Sequence, residues 1–376
     1  MIYLVVLLFA FLCHYKLEQE RSGKKTKQIF YFIEYIVLVL VAGLRYRVGG
    51  DSLSYEDDYM ILDGIQELSY YNFATSEHGF LWYAFVSCCQ FIHNEWVVLQ
   101  ILHAIIFNYA VFRFVSRYSN MPFLSIVFYL TFNYLYFNTE VLRASLGVAV
   151  FLLWGYDALL KKEWIKYLLL TFIASNFHIE CVAFLLFPLA YTIGKCKING
   201  GKVLIITVGA ILLLSVLKID TLLYSIGQYS EALMYRANSY GTAVDRNANG
   251  IIMKLILMAP VFICLSLCKY IKGDDEISKL NRGLVIIYFV MSILVIYFPV
   301  IFSRIINPLR IFYIVMLTNL LGYIKPKKSL YAVLLVVSLF CGFLQYREKE
   351  ILIKYYPYHS IFEPIKEVRR EFLFTN

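Results

Sequence analysis

Arg45-Tyr46-Arg47-Val48-Gly49-Gly50-Asp51 sets two guanidinium groups, a glycine pair and a carboxylate directly after the apolar run Tyr35–Leu44. Further ionisable residues stand at the ends of other apolar runs. Arg143 follows Asn138-Thr139-Glu140, His178 lies in Ala174-Ser175-Asn176-Phe177-His178-Ile179-Glu180, and Arg304 and Arg310 bracket Asn307-Pro308. An arginine at the centre of a bilayer costs about 2.5–3.5 kcal/mol on insertion scales, so each of these needs a reason. Several guanidiniums at one membrane face suit a diphosphate, because the planar fork donates paired hydrogen bonds to phosphoryl oxygens. Asp51 and His178 add acid–base capacity. A sugar hydroxyl attacking an anomeric carbon gains from a carboxylate or imidazole that takes its proton, while fixed positive charge eases departure of a lipid diphosphate. With arginines doing that work, the chemistry calls for no metal and no cofactor.

Each residue also has a plainer reading. Arg45 and Arg47 can snorkel from a helix end. Arg143 can pair with Glu140, and His178 can be a hydrogen-bonded helix-end residue. Asp51 can cap the next helix or complete a turn with Gly49-Gly50. Arg304 and Arg310 can satisfy carbonyls freed where Pro308 kinks a helix.

The elements that must position these groups follow from composition. Of the 376 residues, 60% are hydrophobic and 16% charged, and the mean hydropathy is +0.66, which excludes an ordinary soluble domain. A bilayer core needs about 20 mostly apolar residues per helix. Such runs are read near 1–15, 29–45, 79–93, 96–116, 122–138, 142–160, 164–178, 180–194, 203–218, 251–269, 284–300, 305–322 and 329–345. The expectation is an all-α, polytopic transmembrane bundle of about 11–13 membrane segments. Continuous apolarity in Leu204–Leu217 and Leu330–Phe340 argues against the alternating strands of a membrane β-barrel. The first run begins at Met1 without a basic region or a small-residue cleavage site and is read as a membrane helix. No fixed repeat or linker divides the chain, so 1–376 is read as a single integral membrane domain.

Lys16, Arg21, Lys24, Lys25 and Lys27 fall in the first loop, whereas no Lys or Arg occurs between Val48 and Phe112. The positive-inside rule therefore sets the first loop in the cytoplasm and the loops near 46–78 and 218–250 outside. Lys161, Lys162 and Lys166 mark a cytoplasmic loop by the same rule. An odd number of crossings must then separate Asp51–Glu77 from Lys161, yet four apolar runs lie between them. Gly79–His93, short and interrupted by Ser87 and Gln90, is the expected non-spanning element; the alternative is that one of the loop assignments is wrong.

The net charge of +9 gathers in short loops as orientation signals do, and no nucleic-acid partner is implied. The eight cysteines, Cys264 and Cys268 included, lack paired metal-ligand spacing and read as packing residues. Tyr55, Tyr59, Tyr70, Tyr71 and Phe73 cluster in the first external loop, where they can stack on sugar rings or rest on lipid headgroups.

Arg45-Tyr46-Arg47-Val48-Gly49-Gly50-Asp51, with Tyr55 four residues on, resembles the N-terminal motif of the EpsG family, the Wzy-like membrane proteins of bacterial exopolysaccharide and capsule loci. Leu142-Arg143-Ala144-Ser145-Leu146-Gly147-Val148-Ala149 is similar to that family's Arg-x-small pattern, and Asn176-Phe177-His178-Ile179-Glu180 resembles its Phe-His segment. Arg304-Ile305 looks like a later landmark. Gly50 stands where Thr is common, and Ala144 where Gln often follows the Arg. The resemblance implies a polysaccharide polymerase of C-type glycosyltransferase architecture in the bacterial inner membrane, serving capsule, exopolysaccharide or O-antigen synthesis. Such an enzyme joins undecaprenyl-diphosphate-linked oligosaccharide units at the outer face, with a flippase and a chain-length regulator as partners. On this reading Arg143, Arg45 and Arg304 hold the diphosphate or steady its leaving charge, and Arg47 and Arg310 complete the substrate-binding set. Tyrosines of the first external loop, Tyr55 among them, hold sugar, and Asp51 or His178 is the base.

Two other classes are weighed against it. A flippase of lipid-linked glycan would spread polar residues through the bilayer midplane and show repeated halves, whereas the charges here gather at one face. A membrane acyltransferase modifying polysaccharide would use His178 but gives no reason for the arginines.

Overall fold

A computed structural model of the chain describes residues 2–19, 23–62, 64–69, 71, 78–195, 201–203, 205, 209, 248–273, 275–297, 299–324, 327–346 and 349–364. The expected span 203–218, the expected external loop 218–250, Tyr70, Phe73 and Cys196 lie wholly or mostly outside them. Among the described residues the regular elements are helices, and the one strand-like pairing is a bridge between Arg45 and Ser360. Among the described residues five helices are long and apolar enough to cross a membrane: Lys24–Gly43, Trp96–Tyr118, Leu142–Leu160, Glu276–Ile296 and Phe302–Ile324. Five shorter apolar helices accompany them, so the chain is an all-α polytopic bundle. It forms two compact units, Met1–Phe184 with Gly342–Asn376, and Leu185–Cys341.

The first unit begins with α1 (Ile2–Cys13) and α2 (Lys24–Gly43) and continues through two short helices, α3 (Ser52–Ile61) and α4 (Ile65–Ser69). Then come α5 (Phe80–Ile92), α6 (Trp96–Tyr118), α7 (Pro122–Phe132), α8 (Leu142–Leu160, with a π turn at Phe151–Gly155) and α9 (Trp164–Ser175). Helix α6 is its axis. Leu99, Gln100, His103, Ala104, Phe107, Asn108, Ala110, Val111, Phe114 and Val115 are buried along it, an apolar surface too broad for one lipid-facing helix. Its polar members are bonded. His103 Nε2 and Ser145 Oγ lie 2.6 Å apart and tie α8 to α6. Asn108 donates to Asn138 Oδ1 at 2.9 Å, Asn138 to the Tyr129 hydroxyl at 2.9 Å, and Tyr129 to Asn108 Oδ1 at 2.9 Å. Such a closed network in an apolar interior resists rearrangement, because any broken member would leave a polar group unpaired. It anchors the π turn Tyr136–Glu140 that leads into Arg143.

Small residues bring the helices close. A Cβ at Gly147 would lie 2.5 Å from Cys181 Sγ and 2.6 Å from the Ala174 carbonyl oxygen, so α8 and α9 meet backbone to backbone.

Helix α5 is tied to the segment before it. Ser87 Oγ donates to the Gly64 carbonyl at 2.7 Å, Gln90 donates to the Tyr59 and Leu62 carbonyls at 2.8 and 2.9 Å, and the Tyr59 hydroxyl reaches the His93 carbonyl at 3.2 Å. At its other end Gly79 packs on the Asn176 backbone. Both ends of α5 therefore pack within the first unit, against the α3–α4 segment and the end of α9, and its 13 residues make it shorter than the helices long enough to span. The stretch read as an exposed loop also differs from expectation. Tyr55 and Tyr59 are 6% and 1% exposed, in edge-to-face contact with Trp82 and Trp96. Aromatic area of this size is buried wherever a partner ring is available.

In the second unit, α10 (Leu186–Lys195), α11 (Ala248–Leu257), α12 (Ala259–Leu267) and α13 (Glu276–Tyr297) precede α14 (Pro299–Ile306), α15 (Arg310–Ile324) and α16 (Lys328–Leu344). Gly194 and Gly283 let α10 and α13 touch; a Cβ at Gly283 would lie 1.6 Å from the Ala190 carbonyl oxygen. Buried Arg282 caps the end of α10 by donating to the Gly194 carbonyl at 3.0 Å. Pro308 sits in a 3-10 turn, Asn307–Leu309, between α14 and α15, the break its missing N–H dictates.

Beyond α16 the chain rejoins the first unit: Gln345 donates to the Thr131 carbonyl at 2.7 Å, and α17 (Lys349–Tyr355) follows. With cysteines introduced singly into a background lacking the native ones, Asp51→Cys and Glu95→Cys are expected to react with a membrane-impermeant maleimide from the same side. Lys161→Cys should react only after permeabilisation. Labelling of Glu95→Cys from the Lys161 side would mean that α5 spans.

Candidate functional site

The Arg45–Asp51 turn is held by a carboxylate behind it and by the end of the chain beside it. The Gly50 N–H donates to the Glu140 carboxylate, and Glu140 is 6% exposed. Gly49 has φ +112°, and a Cβ there would lie 2.6 Å from Thr139 Cβ; at Gly50 it would lie 2.7 Å from Glu140 Oε2. Gly49 combines a left-handed φ with no room for a side chain, and a side chain at Gly50 would have to push the Glu140 carboxylate aside. The Gly49 N–H donates to the Lys354 carbonyl at 2.9 Å, Tyr46 N–H to the His359 carbonyl at 2.8 Å, and Ile361 N–H to the Leu44 carbonyl at 2.9 Å. Burial raises the Glu140 carboxyl above the ordinary range, opposed by the Gly50 N–H and the nearby Lys354 ammonium.

The two arginines of the turn are internal fixtures. Arg45 is 1% exposed and donates through Nη1 to the Ala42 carbonyl; its Nε and Nη2 have no hydrogen-bond partner. Arg47, at φ +48°, makes a paired contact with Glu56, Nε to Oε2 at 3.0 Å and Nη2 to Oε1 at 3.2 Å. That bond raises its pKa further. The fork that suits a phosphate is here closed on a carboxylate.

Asp51 stands at the N-terminal end of α3, exposed, and its side chain makes no capping bond. Its carbonyl accepts from Tyr55 N–H at 3.0 Å, which brings the buried Tyr55 ring below it. Arg143 lies over that ring, 5.7 Å from its centroid, and the Tyr55 hydroxyl is 3.5 Å from the Glu140 carbonyl. Arg143 does not pair with Glu140. Its Nη1 donates instead to His78 Nδ1, and its Nε is buried without a hydrogen-bond partner. His78 Nε2 faces Asp58 Oδ2 at 3.6 Å. Asp58, His78, Arg143 and Tyr55 thus form a continuous run of polar contacts at the head of α8.

His178 lies 4.0 Å from Glu180 and accepts the Glu180 N–H at 3.4 Å. Its segment reaches the same neighbourhood through Asn176, whose carbonyl would be 1.9 Å from a Cβ at Gly79, next to His78. Arg304, exposed on α14, and Arg310, half-buried at the start of α15, belong to the second unit. Arg45, Arg47, Asp51, Tyr55, Arg143 and His178 belong to the first.

Glu140, His78, Asp58 and Lys354 have no site role in the sequence reading. Glu140 carried a signal, a carboxylate between two apolar runs, but only the fold reveals that it serves Gly50 rather than Arg143. His78 and Asp58 were hidden in a segment that reads as a solvated acidic loop. Lys354 is far along the chain and carries no sequence signal for this contact. Among the described residues no group of three or more His, Cys, Asp or Glu side chains is arranged to hold a metal ion.

Gly49→Ala should destabilise the protein by about 1–3 kcal/mol, through strain at a positive φ and collision with Thr139, and Gly50→Ala should displace Glu140. Both are checked by thermal melting in detergent. The raised Glu140 carboxyl makes the protonated form the better guest of the fold. The stability it contributes is present at low pH and is lost as pH rises through its folded-state pKa. Wild-type melting temperature should therefore climb as pH falls from neutrality toward the carboxylate range, and Glu140→Gln should remove that part of the climb.

No curated protein and no solved structure matches the chain. The EpsG family model matches residues 28–360, from α2 through α17 and the Arg45–Ser360 bridge, and the chain belongs to the EpsG family.

Proposed function

We propose that this protein is a Wzy-like polysaccharide polymerase that acts on lipid-linked oligosaccharide units, with undecaprenyl diphosphate as the leaving group. EpsG family membership supports the polymerase class. The observation that carries the reading is Arg143, a guanidinium at the head of a membrane helix whose Nε is buried without a partner. It stands beside a tyrosine ring and within a few side chains of the exposed Asp51. A diphosphate oxygen arriving there would supply the acceptor that Nε lacks, and the charge would stabilise the leaving oxygen as the glycosidic bond breaks.

On this reading Arg45 and Arg47 shape the turn, and Arg143 meets the diphosphate. The exposed Asp51 and half-buried His178 meet the acceptor sugar, where either has the chemistry to take its proton. The site rests on the first unit alone. The bilayer supplies the lipid-linked substrate, and the flippase and chain-length regulator stand as proposed partners.

Purified protein in nanodiscs should lengthen an undecaprenyl-diphosphate-linked oligosaccharide without nucleotide sugar, read as a ladder on a gel. Arg143→Lys, which keeps charge but loses the planar fork, should lower kcat/KM by about 100-fold, on the scale of one lost transition-state donor. The double variant Asp51→Asn, His178→Ala should lower kcat/KM at least about tenfold, a difference of about 1.4 kcal/mol. Wild-type protein that leaves the substrate unchanged would falsify the polymerase reading.

A further inference from the structure

Resting on the polymerase reading, the geometry around Arg143 points to a third acid–base group. We infer that His78 takes the proton from the attacking sugar hydroxyl, oriented by Asp58 behind it and released for the task by Arg143 in front.

The tautomer follows from the partners. A guanidinium only donates, so the His78 Nδ1 that Arg143 Nη1 contacts must carry a lone pair. The neutral ring's proton is then on Nε2, which faces Asp58 Oδ2 at 3.6 Å. This is the order of groups that lets an imidazole accept a proton on one nitrogen while a carboxylate steadies the resulting cation from the other side. The ring is held besides. Tyr83 of α5 stacks on it with centroids 5.8 Å apart, and the Tyr71 hydroxyl donates to the His78 carbonyl at 3.1 Å. Among the described residues, Asp58 from α3, Arg143 from α8, Tyr83 from α5 and Tyr71 from the segment that precedes it face it. Its side chain is 16% exposed, so the imidazole is sheltered without being sealed.

Arg143 covers the nitrogen that would act. A bound diphosphate competes for that guanidinium, and as Arg143 turns to the phosphoryl oxygens, Nδ1 is uncovered. The step then balances. The acceptor hydroxyl oxygen bonds to the anomeric carbon of the lipid-linked sugar, and its proton passes to His78 Nδ1. The bond from that carbon to the diphosphate oxygen breaks, and its electron pair leaves on the diphosphate, which Arg143 holds. The imidazolium, paired with Asp58, returns its proton to water after product departs. The uncovering makes base activation conditional on substrate, so an empty site keeps its base capped. Asp51 and His178 then hold sugar hydroxyls, and their variants act on KM.

The test uses full-length protein in nanodiscs with undecaprenyl-diphosphate-linked oligosaccharide, and kcat and KM measured across pH. His78→Asn keeps a side-chain oxygen to which Arg143 can donate but no group able to carry the proton. It is expected to lower kcat by about 10²–10⁴-fold, with KM within about threefold of wild type, and to lose the acidic limb of the wild-type pH–rate profile. Asp58→Asn should lower kcat less and move that limb to lower pH, because the imidazolium loses its counter-charge. Binding of undecaprenyl diphosphate by His78→Asn, measured by quenching of intrinsic fluorescence, separates loss of chemistry from loss of fold. Should His78→Asn not fold, the limb shift in Asp58→Asn decides alone, an unmoved limb overturning the inference. Wild-type kcat with a wild-type pH profile in His78→Asn overturns it too and leaves polymerisation standing. No elongation by the wild type overturns the polymerase reading and this inference with it.

Discussion

A carboxylate buried among apolar helices must find donors or lose its charge, and Glu140 finds its donor in the backbone of a turn ninety residues earlier. That contact requires the Gly50 N–H to reach the head of α8 with no side chain between, hence the glycine pair. It also draws in the chain's far end, since Gly49 N–H is taken by Lys354 and the strand-like pairing runs from Leu44 to Ile361. The motif, the π turn before α8 and the C-terminal segment are therefore one assembly, and displacing any of them exposes an unpaired polar group to an apolar surround.

Three arginines on this assembly show how surroundings divide one chemical type among different tasks. Arg45 is walled in and donates to its own helix end. Arg47 is paired through Nε and Nη2 with the Glu56 carboxylate, which already answers its charge. Arg143 shares its charge between a histidine nitrogen and a tyrosine ring, neither of which is an anion, and keeps a buried Nε in reserve. An anionic substrate gains most where the cation has been partnered only by neutral groups and can still be reached. Arg45 meets only a neutral carbonyl but is 1% exposed, so access singles out the half-buried Arg143.

Precision at the head of α8 comes from below. The Asn108, Asn138 and Tyr129 triangle and the His103–Ser145 bond fix α7, the π turn and α8 to α6, and π turns recur where a helix must re-aim a functional side chain. Helix α5 closes the arrangement from the side. Its polar side chains, Ser87 and Gln90, bond to the Gly64, Tyr59 and Leu62 carbonyls of the α3–α4 segment.

The helical class and the main spans were legible in the sequence, because hydropathy and span length act locally and additively along the chain. Arg45–Asp51 stood out in the sequence by its residue types, and the fold adds that Arg45 meets the Ala42 carbonyl and Arg47 pairs with Glu56. The partner of Glu140, the burial of Tyr55 and Tyr59, the pairing of Arg143 with His78 and the return of Lys354–Ser360 were decided only by tertiary structure. Each is a contact between groups remote in sequence, whose energy depends on which donor, ring or lone pair the packed helices leave within reach.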